Sequence, residues 1–224
     1  MSIFTIILTT TVNVDNKSFL HQIDKNDRIN TYLTSIKKWL TLTNLNIIVV
    51  ENSGYTFEEL NEEKEKYKKR FEVISFVENE AKDSKYLNTH HHIKLSKGAS
   101  ELFAIDYVYF NSEIIFNSLF VIKITGRYYI PNFENYLYEN KVNEYKALRQ
   151  NNNGRCEVIG VSLKYFHKIF NKYPICGNGY FYDHIEEIYE YRINLMKKEN
   201  IFTCKPLEIE PTQQGGCNII ITLL

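Results

Sequence analysis

Four apolar runs, each about the length of a strand and each separated from the next by a stretch of helical periodicity, constrain this sequence more than any other feature. The runs are Phe4–Leu8, Leu45–Val50 (LNIIVV), Phe71–Val77 and Leu119–Thr125 (LFVIKIT). A continuous apolar run such as LNIIVV is the pattern of a strand covered on both faces. Between the runs, Asp27 is placed to cap a helix in which Ile29, Leu33, Ile36 and Leu40 recur at helical spacing. Glu58–Arg70 reads as a charged helix with acids first and bases last, and a further helix is expected over about Gly98–Asn117. Strand–helix alternation of this kind predicts an α/β fold, a mostly parallel mixed sheet with helices on both faces.

The second half is less regular. Asn132–Arg149 is expected to be helical, Asn151–Gly154 to break it, and Glu157–Ser162 to form a strand. Short helices follow over Leu163–Asn171 and Ile185–Lys198, with closing strands over Thr203–Ile209 and Asn218–Leu223. Gln213–Gly216 reads as a turn. Without repeats or a Pro/Gly-rich linker, the 224 residues are expected to form one domain over 1–224.

Composition removes several classes of function. Lys plus Arg and Asp plus Glu both number 27, so the chain lacks the excess of positive charge that grips nucleic acid. No apolar run approaches the roughly 20 residues of a membrane span. The apolar start, MSIFTIILTTTVNV, has no basic segment or small-residue cleavage site, so a signal peptide is not expected. No two of Cys156, Cys176, Cys204 and Cys217 have C-x-x-C spacing, and they read as reduced thiols in a cytoplasmic setting. His90–His92 reads as a solvated loop rather than a metal site, because neighbouring histidines point apart and no partner stands at ligand spacing.

Ligands of open parallel sheets bind beyond the carboxyl ends of the strands. There the sequence places Thr9, Thr10 and Thr11 after the first run, Asn52, Ser53 and Gly54 after the second, and Thr125, Gly126, Arg127 and Tyr128 after the fourth. Each segment alone reads equally well as a turn; three together favour a ligand. A guanidinium such as Arg127 holds a diphosphate through paired hydrogen bonds. Lys97-Gly98, before a helix, offers a second anion contact. Lys123 lies within its strand, on a face the sequence leaves open.

The order Asp27-Arg28, Tyr32, Ser35-Ile36, NIIVVENSGY, Lys97-Gly98 with Glu101, then VIKITGRYYI resembles small GT-A-type glycosyltransferases, found in capsule-making bacteria and large DNA viruses. The resemblance covers about the first 130 residues, and its most specific element is Lys123–Tyr128. It implies a nucleotide-sugar donor bound by residues 1–130, a glycan or other hydroxyl acceptor served by 131–224, and Arg28 and Lys97 reaching phosphate or base. GT-A enzymes usually carry Asp-x-Asp after the fourth strand, holding Mn or Mg. Here that place reads Thr-Gly-Arg, and Asp-x-Asp occurs nowhere in the chain. Arg127, with Lys123, is therefore expected to supply the positive charge that the ion otherwise gives. The resemblance further implies a catalytic acid opening a late helix, where Asp183 and Glu186 stand three residues apart; both also suit a plain helix start. Two alternatives stay open: a sugar nucleotidyltransferase, disfavoured because TTTVNVDNKS after the first run contains no glycine, and a glycan- or nucleotide-binding module without catalysis.

Overall fold

The computed structural model describes residues 2–14, 21–81, 97–151, 154–175 and 184–224. Seven strands form one sheet: β1 (Phe4–Thr10), β2 (Asn46–Glu51), β3 (Phe71–Ser75), β4 (Phe120–Thr125), β5 (Ala147–Arg149), β6 (Val158–Ser162) and β7 (Ile201–Thr203). Their order is β3-β2-β1-β4-β6-β5-β7. The first four are parallel, β6 runs antiparallel to both β4 and β5, and β7 lies parallel to β5. Two further strands, β8 (Glu208–Gln213) and β9 (Ile220–Leu223), form a separate antiparallel hairpin.

The period-two alternation of the strands divides the core. Phe4, Ile6 and Leu8 of β1 face one side of the sheet, with Ile122 and Ile124 of β4. Against them packs α1 (Lys25–Leu42), through Ile36, Trp39 and Leu40, and α4 (Phe133–Glu139), through Phe133 and Leu137. Ile7 and Val121 face the other side. That side is covered by α3 (Lys97–Asn111), α5 (Phe166–Ile169) and α6 (Ile185–Asn194). Strands buried on both faces need long apolar runs, which is what LNIIVV and LFVIKIT supply.

Several elements differ from the sequence reading. The cap of α1 is Asp24, whose side chain accepts from the Asp27 N–H, so the helix starts before Asp27. The charged segment after β2 contains only a 3-10 turn (Glu58–Leu60) and the short α2 (Asn61–Lys66); Leu60 is its one buried residue, with Tyr67 half-buried against the same core. The helix expected to reach Asn117 ends at Asn111, where the Ser112 hydroxyl accepts from the N–H groups of Ile114 and Ile115. Asn132–Arg149 is not one helix: it holds α4, a 3-10 turn over Val142–Glu144 and strand β5, divided where Lys141 takes a left-handed φ of 48°. Helix α6 stops at Asn194, and the strand expected over Thr203–Ile209 is two strands, β7 and β8, separated around Pro206. The His90–His92 loop lies outside the described residues.

Candidate functional site

The ends of β1, β2 and β4 converge on a cavity of about 140 Å³, reached also by the first turns of α1 and α3. The approach of β4 to β1 is very close. The Gly126 N–H donates to the Thr9 carbonyl (2.9 Å), and a Cβ at Gly126 would stand 2.6 Å from Thr10 Cγ2 and 2.8 Å from that same carbonyl oxygen. Glycine is therefore what lets Arg127 leave the sheet beside the end of β1.

The three threonines divide their tasks. Thr9 Oγ1 donates to Glu101 Oε2 (3.4 Å), Thr10 Oγ1 to the Val50 carbonyl (3.0 Å) and Thr11 Oγ1 to Asn52 Oδ1 (2.7 Å). All three line the cavity, as do Asn52 and Thr125. Ser53 and Gly54 do not line it. The Ser53 hydroxyl accepts from Asn13 N–H (2.9 Å) and donates to Glu51, while Gly54 turns the chain with φ +86° against Val77. The bolt beneath this loop is Glu51, whose carboxylate accepts from the N–H groups of Val12 (2.8 Å), Ser53 (2.9 Å) and Tyr55 (2.7 Å). Burial pushes its carboxyl above the usual range in spite of those donors.

Cations crowd the rim. Arg28 is buried, donating from Nε to the Thr11 carbonyl (2.7 Å), from Nη1 to the Gln22 carbonyl (2.9 Å) and from Nη2 to the Tyr32 hydroxyl (2.8 Å). Arg127 is 8% exposed and donates to Gln22 Oε1 (3.2 Å). Lys97 opens α3 and lines the same cavity, placing the positive end of that helix dipole at the rim. Burial pushes the Arg28 guanidinium down, and Arg127 pushes it further. The Lys97 amine is likewise lowered, first by burial and then by Arg127 and Arg28, against the pull of Glu186. Three cations within reach of one another's fields favour a bound anion.

Lys123 behaves differently. It points to the α3 side of the sheet, fully buried, 2.8 Å from Glu101 Oε1 and 2.8 Å from the Cys156 carbonyl it donates to. Burial, the largest influence, lowers its pKa, but Glu101 together with Cys156 and Glu157 outweighs it, and the amine ends above its usual range. Lys123 does not line the cavity; its charge is held by Glu101, which does. The Tyr189 hydroxyl also donates to Glu101 (3.3 Å). Glu101, named in the sequence only within the resemblance, is a cavity residue not expected as a site, as are Val14, Tyr32, Ser100 and Ala104. Its signal was there: Glu101, Ala104, Ile105 and Val108 share one stripe of α3, so a carboxylate stood on the buried face.

The remaining expected residues fall elsewhere. Tyr128 is 1% exposed in the core, its carbonyl accepting from Trp39 Nε1 (2.9 Å), and burial lifts its phenol to about 12. Gly98 packs directly on Ile185. Glu186 stands half-buried in the first turn of α6, electrostatically coupled to Lys97. Asp183 lies outside the described residues. A larger hollow of about 580 Å³ between α5 and α6 is reached by none of the strand ends.

No protein-family model matches the chain, and no curated protein matches its sequence. Solved structures do. The glycosyltransferase GlyE of Streptococcus pneumoniae TIGR4 aligns with a TM-score of 0.53 at 9% identity, over 92% of this chain and 46% of its own. The fold is that of the GT-A glycosyltransferases. A protein designated a nucleotide-diphospho-sugar transferase from Desulfovibrio desulfuricans G20 aligns at TM-score 0.49 and 14% identity, over 91% of this chain and 80% of its own. The galactosyltransferase LgtC, solved with donor and acceptor sugar analogues, gives 0.45 and 7%, over 89% and 73%. At these identities the likeness concerns the fold alone, and this chain spans less than half the length of GlyE. The GT-A arrangement places the cavity where open α/β sheets hold their ligands. Among the described residues no helix is long and apolar enough to cross a membrane.

Proposed function

We propose that this chain is a glycosyltransferase that moves a sugar from a nucleotide-diphosphate-sugar donor to a hydroxyl of a glycan or related acceptor. The observation that carries the reading is a pair of guanidiniums, Arg28 and Arg127, buried at the strand ends and hydrogen-bonded only to neutral oxygens among the described residues. Glu51 acts on Arg28 only through space, and among the described residues no carboxylate touches either guanidinium; buried charge so weakly compensated is costly, and a diphosphate removes that cost.

In the transfer, the bond from the anomeric carbon to the phosphate oxygen breaks as the acceptor oxygen bonds to that carbon. Negative charge gathers on the departing nucleoside diphosphate, where Arg127, Arg28 and Lys97 receive it. Glu186, close enough to feel Lys97, is the carboxylate we assign to take the acceptor proton; Asp183, three residues before it, is the other candidate. Thr11 and Asn52, bonded to one another, sit where the nucleoside would lie. The cavity, open on one side, is smaller than the roughly 300–1,000 Å³ of small-ligand sites, so the donor would occupy it with its anionic part and extend outward.

The divalent metal common among GT-A enzymes does not suit these residues. The fourth strand ends in Thr125-Gly126-Arg127, and among the described residues the one carboxylate that lines the cavity, Glu101, is already paired with Lys123. No step is assigned to a metal. The test is turnover across a panel of UDP-, GDP-, CMP- and dTDP-sugars, with Glu186→Gln and Asp183→Asn variants beside the parent chain. One donor is expected to release its nucleotide, and at least one variant to lose that release while staying folded. No release from any donor, with a nucleotide bound, would instead favour a binding module.

A further inference from the structure

Arg127 lines two cavities. The second, about 320 Å³, opens between the outer face of α1 and strand β8 of the C-terminal hairpin. Its walls are fixed to each other: Lys38 of α1 pairs with Glu210 of β8, and the His21 N–H donates to the Gly215 carbonyl (3.1 Å). A Cβ at Gly215 would stand 2.5 Å from Arg127 Nη2, so the hairpin turn lies directly on the guanidinium. The volume is at the lower end of small-ligand sites.

We propose that this second cavity is a saccharide subsite, which seats the acceptor glycan beside the donor diphosphate. The proposal rests on the glycosyltransferase reading above. Its chemistry comes from the wall. Lys38 and Glu210 cancel one another's charge, and the remaining cation, Arg127, is shared with the donor cavity, where the diphosphate would take its charge and leave this hollow neutral. The hydroxyls of Thr34 and Thr212 donate to the backbone carbonyls of Asn30 and Glu210, which leaves their oxygens as acceptors facing a ligand. The Asn30 amide adds donors. Tyr129 packs edge-on against Trp39 (5.1 Å) and has no hydrogen bond to its phenol among the described residues. A mixture of neutral donors and acceptors beside an aromatic ring matches a sugar, whose every hydroxyl both donates and accepts.

The probes are methyl glycosides of glucose, galactose, mannose, N-acetylglucosamine and rhamnose, and disaccharides of each, at millimolar concentration. Saturation-transfer NMR reads binding, and the side-chain amide signals of Asn30 and Gln213 report its place. Two variants at the cavity wall, Thr34→Trp, which fills the hollow from an exposed helix position, and Gln213→Ala, keep the test independent of folding. Binding of at least one saccharide is expected, with shifts at both amides and at least a tenfold loss in Thr34→Trp. Nucleotide binding is measured separately by thermal shift on the same proteins and should not change. No saccharide binding, or binding that Thr34→Trp leaves intact, overturns the subsite whatever the nucleotide result. Saccharide binding in the cavity without any nucleotide binding leaves the subsite standing and removes the transferase reading.

Discussion

The floor and the rim of the donor cavity are built from the same kinds of charge and treat it in opposite ways. Beneath the floor, which Glu101 lines, Lys123 is closed off by Glu101 and a carbonyl, and Tyr189 bonds the same Glu101, so the lysine charge is balanced within the protein. On the rim, four residues along the same chain, Arg127 finds an amide oxygen, and Arg28 finds two carbonyls and a phenol. The position of a cation relative to the strand end thus decides its use. Inside the sheet it must bring its own counter-ion; past the end it can wait for one. The floor is accordingly a matter of stability and the rim a matter of ligand.

The largest effect should come from the floor. Lys123→Met leaves Glu101 without its cation and is expected to lower stability by about 3–5 kcal/mol, the usual loss when one member of a buried pair is removed. The double variant Lys123→Met/Glu101→Gln should recover most of it in chemical denaturation. Recovery of none would mean that Lys123 acts through packing rather than through the pair. At the rim, Arg127→Ala should leave stability within about 1 kcal/mol while donor turnover falls about 10²–10³-fold, as for a lost transition-state donor. Equal losses of stability at both positions would abolish the distinction. Gly126→Ala joins the two regions: its Cβ meets the end of β1, so a loss of about 1–3 kcal/mol in melting and weaker donor binding should appear together.

The smallest effect belongs to the bolt under the rim. Burial holds the Glu51 carboxyl above 4.5 in the folded chain, so as pH rises the unfolded chain releases that proton first. Stability should therefore fall with pH from about 4.5 up to the folded value and level off beyond it. The Glu51→Gln variant should lack this slope when melting is followed across that range.

The division between floor and rim also marks how far the sequence could be read. LNIIVV and LFVIKIT declared their strands because double burial demands unbroken apolar runs. Strand β5 did not, since three residues carry no periodicity and its existence depends on β6 and β7 on either side. The helix expected through Asn132–Arg149 failed for the same reason: a Tyr-rich stretch without Pro is a local signal, and sheet pairing at Ala147–Arg149 overrode it. At the site, Arg127 was legible because a cation after a buried strand is conspicuous. Lys123 was legible as an anomaly but not as half of a pair, because Glu101 lies 22 residues before it on another element. Ser53 and Tyr128 read as ligand contacts by position, yet one folds its own loop and the other fills the core. Strand ends specify where a site lies, and packing specifies which of the residues there face it.

The central claim is that the rim holds a nucleotide-sugar diphosphate by its guanidiniums. Its most direct test is the thermal unfolding of the parent chain and of Arg127→Ala with each nucleotide-sugar, in EDTA and in Mn. The account predicts that one donor, at a hundred times its Kd, raises the melting temperature of the parent by about 5–10 °C in EDTA, and that Arg127→Ala loses most of that shift. A shift that appears only with Mn, or one that Arg127→Ala retains in full, would contradict it.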